Sequence, residues 1–259
     1  SSEAAFFIGH GSPMNALEHN AQVQQWQSVV QGHTPRAILM ISAHWYTQGT
    51  AVTAMNSPRT IHDFYGFPQE LHQVRYPAQG DPALATEVKE LLSPHPVKLD
   101  MTWGLDHGAW SVIKHLYPDA NIPVLQLSLD RFQPAQYHYD LAKELQSLRS
   151  KGILIIGSGN MVHNLGMVAW DKINEVGFAY DWAQEADSAM KQYILKGYHQ
   201  KLIDYKSRGK AFDLAIPTPE HYLPLLYALA LQVGSDNLNL FNDKPMAGSL
   251  TMTSLRIGA

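Results

Sequence analysis

Short apolar runs recur along the chain: Ala4 to Ile8, Ala37 to Ile41, Ile122 to Leu129 and Ile153 to Ile156. Each is bounded by glycine, proline or polar residues, the signature of a strand buried on both faces of a sheet. Between them the apolar spacing turns helical. Leu17, Val23, Trp26, Val29 and Val30 predict a helix over 15–30. Asp81 caps and Pro82 opens another that carries Leu84, Val88, Leu91 and Leu92. Pro134 opens a third, with Leu141, Leu145 and Leu148 on one side and Gly152 at its end. Residues 112–117, 178–197 and 222–233 also read as helices. Further strands are predicted at 51–55, 97–101 and 212–216 and in the SLTMTSLRI tail. This alternation predicts an α/β fold, with a mostly parallel central sheet flanked by helices. No repeat, low-complexity tract or linker interrupts it, so residues 1–259 are read as a single domain.

Where these runs stop is more informative than where they start. AAFFIGH ends in His10, AILMISAHW delivers His44, GILIIGSGNMVH leads to His163 and FDLAIPTPEH leads to His221. In open parallel sheets, ligands bind beyond the carboxyl ends of the strands. Four runs, each handing over a histidine at the same end, predict a shared pocket there. His10, His44 and His221 form the first candidate metal trio, with His163 a possible fourth ligand; Glu220, beside His221, competes with it for the third place. Two histidines and a carboxylate suit non-haem Fe(II), and three histidines suit catalytic zinc. His163 in GSGNMVHN and His107 in GLDHGAW sit in glycine-containing turns and are candidate acid/base groups, since imidazole exchanges protons near neutral pH. His62 is a weaker candidate. The remaining histidines, at 19, 33, 72, 95, 115, 138 and 199, read as solvated.

Other motifs fall short. Ser158 follows a strand, but its surroundings lack the GxSxG pattern of a nucleophile elbow. Gly157-Ser158-Gly159 is a fragment of a phosphate-binding turn without its third glycine. Trp26, Trp182 and Tyr193 are assigned to the core, and Trp45, Phe64, Phe67 and Trp110 adjoin the expected pocket. Composition narrows the chemistry further. Charged residues make up 16% of the chain and the net charge is −4, with no basic stripe, which argues against nucleic acid or an anionic membrane as partner. There is no cysteine, so disulfides, thiolate nucleophiles and Cys-ligated metals are excluded. No apolar stretch reaches membrane-spanning length, and Phe6 to Ile8 is too short for a signal peptide. A cytoplasmic location is the expectation.

Taken together, FFIGHGSPMNALE, ISAHWYTQGTAVT, TIHDFYGFPQEL, WGLDHGAW, IPVLQLSLD, GSGNMVHNL and TPEHYLPLLYALA resemble the 4,5-DOPA extradiol dioxygenases. These belong to the class III ring-cleaving superfamily that includes protocatechuate 4,5-dioxygenase. The resemblance runs in order from His10 to the GSLTM tail and is closest to the bacterial type. It implies Fe(II)-dependent opening of a catechol ring beside its hydroxyls, with L-DOPA giving a muconic semialdehyde. By motif, His10, His44 and His221 correspond to metal ligands, His163 to the catalytic histidine and His107 to a second pocket histidine. The wider superfamily uses a glutamate as third ligand where this chain has His221. The implied partners are a small catechol and O2, with Fe(II) for activity and zinc expected in purified protein. The competing readings are a zinc hydrolase and a non-catalytic Memo-like binding protein.

Overall fold

The computed structural model describes residues 2–173, 175, 177–234 and 236–258. Six strands build the main sheet: β1 (Ala5–Gly9), β2 (Ala37–Ser42), β3 (Val124–Gln126), β4 (Ile153–Gly159), β5 (Leu238–Phe241) and β6 (Ser254–Ile257). Their order is β5-β6-β1-β4-β2-β3. The central strands β1, β4, β2 and β3 run parallel, while β6 and β5 add an antiparallel edge.

The apolar runs are continuous because both faces of this sheet are covered. Phe6, Ile8, Ile38, Met40, Leu154 and Ile156 face one core, shared with α1 (Ala21–Val29) and α3 (His107–Leu116). Ala5, Phe7, Leu39, Ile41, Ile153 and Ile155 face the other. That side is covered by α2 (Pro82–Leu92), α4 (Ala135–Lys143), α5 (Asp181–Lys196) and α7 (Leu223–Ala230). Alternate residues of one strand thus enter opposite cores, as the pleat requires. At about 25 cal/mol per Å² of buried apolar surface, each such side chain contributes on the order of 2 kcal/mol.

Several expectations are corrected. Residues 212–216 are not a strand: 212–215 lie in the short helix α6 (Lys210–Ala215) and Ile216 caps it, so His221 comes from a turn between α6 and α7. The helix expected over 15–30 is split into a 3-10 turn, Pro13–Leu17, and α1, because Asn20 Oδ1 accepts from the Val23 N–H and restarts the chain. Gly157-Ser158-Gly159 is the end of β4 rather than a turn. His107 opens α3 rather than lying in a turn. His115 and His138 are buried, not solvated. His138 Nδ1 pairs with the Tyr227 hydroxyl at 2.7 Å and Nε2 with Asp130 O at 3.0 Å, so a polar ring is satisfied inside the core.

The turn carrying His221 lies directly over β4. A Cβ on Gly159 would run into the His221 carbonyl, and one on Gly157 into that of Pro224. The same His221 carbonyl accepts from the Asn160 N–H at 2.8 Å. We expect Gly159→Ala to cost about 1–3 kcal/mol through overpacking. Urea denaturation measures this, and an unchanged midpoint would contradict the close approach.

Candidate metal centre

Backbone register decides which side chains meet. Gly9 lies opposite Gly159 and Ser42 opposite Ser158, so β1, β4 and β2 end in one row. Hydrogen bonds continue past the strands: His10 N donates to Gly159 O (3.0 Å) and Ala43 N to Ser158 O (3.0 Å). His10 leaves β1 directly. His44 follows a turn in which Trp45 N donates to Ser42 O (3.2 Å). His163 follows β4 and is tied to α6 by its own N–H, which donates to Ala215 O at 2.9 Å.

All five candidate histidines, His10, His44, His107, His163 and His221, line one cavity of about 430 Å³. His10 Nε2 and His44 Nε2 are 3.2 Å apart. One ring nitrogen each of His10, His44 and His107 falls within a 4.8 Å group. The His221 ring centre is 5.5 Å from that of His10 and 5.1 Å from that of His44, and it stacks on His163 at 3.5 Å and 7°. His221 Nδ1 is buried without a hydrogen-bond partner. Glu220 does not line the cavity. Its carboxylate accepts from Thr218 Oγ1 (2.9 Å) and lies 3.5 Å from His221 Nδ1. Burial alone would raise that carboxyl. The neighbouring His221, with bonds from its own backbone and from Thr218, outweighs burial and brings it down to about 2.

Burial holds His10 and His44 well below the ordinary imidazole value, and the neighbouring rings push the same way. His163 is brought down to about 3, first by burial and then by His221. These rings are therefore neutral near pH 7, each with a free lone pair. Donation from His10 Nδ1 to Ser158 Oγ (2.8 Å) is the tautomer that turns the Nε2 lone pair toward His44. At 3.2 Å the two Nε2 atoms can share one proton between them or, with both lone pairs free, a cation. The donor set fits a divalent transition metal and does not fit Ca²⁺ or Mg²⁺, which take oxygen ligands. Ser158 is wholly buried, so it serves His10 and is no nucleophile.

Two carboxylates escaped the sequence reading. Asp63 Oδ1 accepts from the His107 backbone N–H (3.0 Å) and lies 2.9 Å from His107 Nδ1, off the line of the ring N–H. Asp63 belongs to the HDFYGFP segment, where the aromatics drew attention instead. Asp106 precedes α3 but does not cap it. Its fully buried carboxylate accepts from Ser42 Oγ (2.7 Å) and Gln126 Nε2 (2.9 Å), locking the start of α3 to β2 and β3. Burial, then Asp63, raises its pKa, and these two bonds oppose the rise. Of the aromatics, Phe67 lines the cavity. Trp110 is core, Phe64 packs on His107 (5.7 Å), and Trp45 stacks on Trp103 (5.6 Å).

Residues 4–248 match the sequence model of the family described as the catalytic LigB subunit of aromatic ring-opening dioxygenase. The chain belongs to this family. A 4,5-DOPA dioxygenase extradiol of Escherichia coli (strain K12) is 46% identical over 98% of this chain and 94% of its own. A protein of the same name from Beta vulgaris is 34% identical over 97% and 95%. A solved structure of an uncharacterized Escherichia coli K12 protein superposes with a TM-score of 0.85 at 41% identity, covering 99% of this chain and all of that one. As a member of the LigB family, the chain is an extradiol dioxygenase, a metal-dependent enzyme class. Among the described residues no helix is long and apolar enough to cross a membrane.

The depressed histidines set a pH dependence of stability. A ring neutral in the folded state but ordinary at about 6.5 when unfolded lets the unfolded chain take up more protons below that pH. Stability is therefore intact above about 6.5 and lost as pH falls toward the folded value. For His138, lowered by burial to about 4, the loss between pH 7 and 5 is about 2 kcal/mol. His10, His44 and His163 add to it. Chemical denaturation of the metal-free protein across this range should show a steep decline, and a flat profile would contradict the neutral assignments.

Proposed function

We propose that this chain opens the ring of L-DOPA or a similar catechol with O2, beside the hydroxyls, to give a muconic semialdehyde, with Fe(II) as the working ion. The meeting of neutral imidazoles from β1, β2, the β4 end and the α6–α7 turn in one cavity is the observation that supports it most. In this reading His10, His44 and His221 hold the ion. The choice of His221 over His107, whose nitrogen groups more tightly with the other two, rests on the likeness of TPEHYLP to the ligand segment of the family. When bound, the metal supplies what side chains lack: it keeps the catechol oxygens and dioxygen together as one local reaction.

The protein does the rest. His163, which burial and then His221 keep unprotonated, has a ring nitrogen free to take the proton of a catechol hydroxyl and to return it later. His107 is held at the cavity wall by its backbone N–H, which donates to Asp63 Oδ1, and its ring is placed to meet substrate. Leu165, Val168 and Leu250 give the cavity apolar walls. Zinc binds such nitrogen sites more tightly than Fe(II), so protein purified in air should carry zinc, with His163 drawn in as a fourth ligand.

The test is anaerobic Fe(II) loading, then a panel of catechols with O2, followed by the absorbance of the yellow semialdehyde. His163→Ala should keep its metal and lose roughly 10²–10⁴-fold in turnover, the usual worth of a proton-transfer group. His44→Ala and His221→Ala should lose both metal and turnover, whereas His107→Ala keeps its metal. Metal loss in the His107 variant, with retention in the His221 variant, would move the third ligand to His107. Turnover that continues without oxygen would contradict ring cleavage and favour hydrolysis.

A further inference from the structure

Among the described residues, no lysine or arginine lines the five-histidine cavity. A catechol with a carboxylate on its side chain, held entirely inside, would bury that charge without a partner, at a cost well above that of a lost hydrogen bond. Such a tail needs a polar exit. A second cavity of about 380 Å³ adjoins the first, and Ile173, Met246 and Met252 belong to the walls of both. The two methionines are unbranched and adaptable, so this shared wall can yield to a ligand. Met252 is close to the catalytic side, its sulfur only 3.1 Å from where a Cβ on Gly11 would lie, next to His10.

Beyond the methionines the lining, mostly apolar in surface, carries the polar side chains Asn20, Gln22, Gln25, Asn242 and Lys244. Its frame is bonded to the strand that ends in His10. Gln22 Nε2 donates to Gly9 O (3.0 Å), and Asn242 Nδ2 donates to Gln22 O (3.1 Å). Met252 N donates to Lys244 O (2.8 Å), which ties the lysine's backbone to the shared wall. Lys244 makes no ion pair among the described residues, whereas its neighbour Asp243 is taken by Lys191 at 3.1 Å. Glu175 also lines this cavity and lies 3.4 Å from Lys172.

We propose that the second cavity is a subsite for the substrate's side chain, taking the anionic tail of a catechol at Lys244 while the ring stays among the histidines. The proposal rests on the ring-opening reading above and adds to it the charge of the preferred substrate. It accounts for a reaction cavity without a lysine or arginine beside a cavity that has one.

Binding tests it without turnover. The Fe(II)-loaded protein is titrated without oxygen, by calorimetry, with methylcatechol and with dihydroxyphenylpropionate. The wild type should bind the propionate about tenfold more tightly, about 1.4 kcal/mol. Lys244→Gln should bring the ratio close to one. So should Ala21→Trp, which fills the second cavity and leaves the lysine in place. Loss of preference in both variants supports the subsite. Equal affinities in the wild type, or a preference that survives either variant, overturns it; survival in Ala21→Trp alone would make Lys244 a remote surface charge rather than a seat. If methylcatechol binds normally and only the preference is missing, the subsite fails and the ring-opening reading stands. If neither catechol binds, both fall.

Discussion

The register of three parallel strands fixes where the imidazoles meet. With Gly9 against Gly159 and Ser42 against Ser158, the chain leaves β1, β4 and β2 in one row, and the hydrogen bonds from His10 and Ala43 to β4 carbonyls extend that row past the sheet. A slip of one residue would turn every side chain of a strand to the opposite face. Here it would also exchange the contents of two filled cores, since Phe6 and Phe7 belong to different ones. The cost of such a slip is therefore spread over the whole sheet. The position of His10 beside His44 is as secure as the fold itself.

That security is spent on an arrangement unfavourable in isolation. Several imidazoles share one cavity, and burial keeps His10, His44 and His163 uncharged. The surrounding polar groups are arranged to tolerate this. Ser158 bonds His10, Asp63 engages His107, and the buried Asp106 carboxylate is bonded by Ser42 and Gln126. His10 Nε2 and His44 Nε2 lie 3.2 Å apart, with a His107 nitrogen in the same group. A cation would take up imidazole lone pairs that burial keeps unprotonated, as a metal-dependent family requires.

Much of this was legible in the sequence, and the reasons differ by residue. His10 and His44 could be read because each follows an apolar run whose strand character is unambiguous. His221 was placed in the right pocket by a wrong route: FDLAI has the apolar density of a strand, yet Lys210–Ala215 coils into a short helix that packs against α5. Apolar density over five residues does not separate a buried helix turn from a buried strand. Asp63 was not legible because its partner, His107, is 44 residues away and the contact depends on tertiary geometry. Asp106 was not legible either, since its carboxylate is bonded by Ser42 and Gln126, 64 and 20 residues away. The burial of His138 depended on a tyrosine 89 residues distant.

The claim on which the rest depends is that histidines from separate segments ligate one metal ion. X-ray absorption on protein loaded anaerobically with Fe(II), after removal of excess metal, addresses it directly. The account predicts iron at one equivalent per chain, with the multiple-scattering pattern of imidazole rings in its coordination sphere. Iron retained with oxygen ligands alone, or no stoichiometric retention, would contradict it.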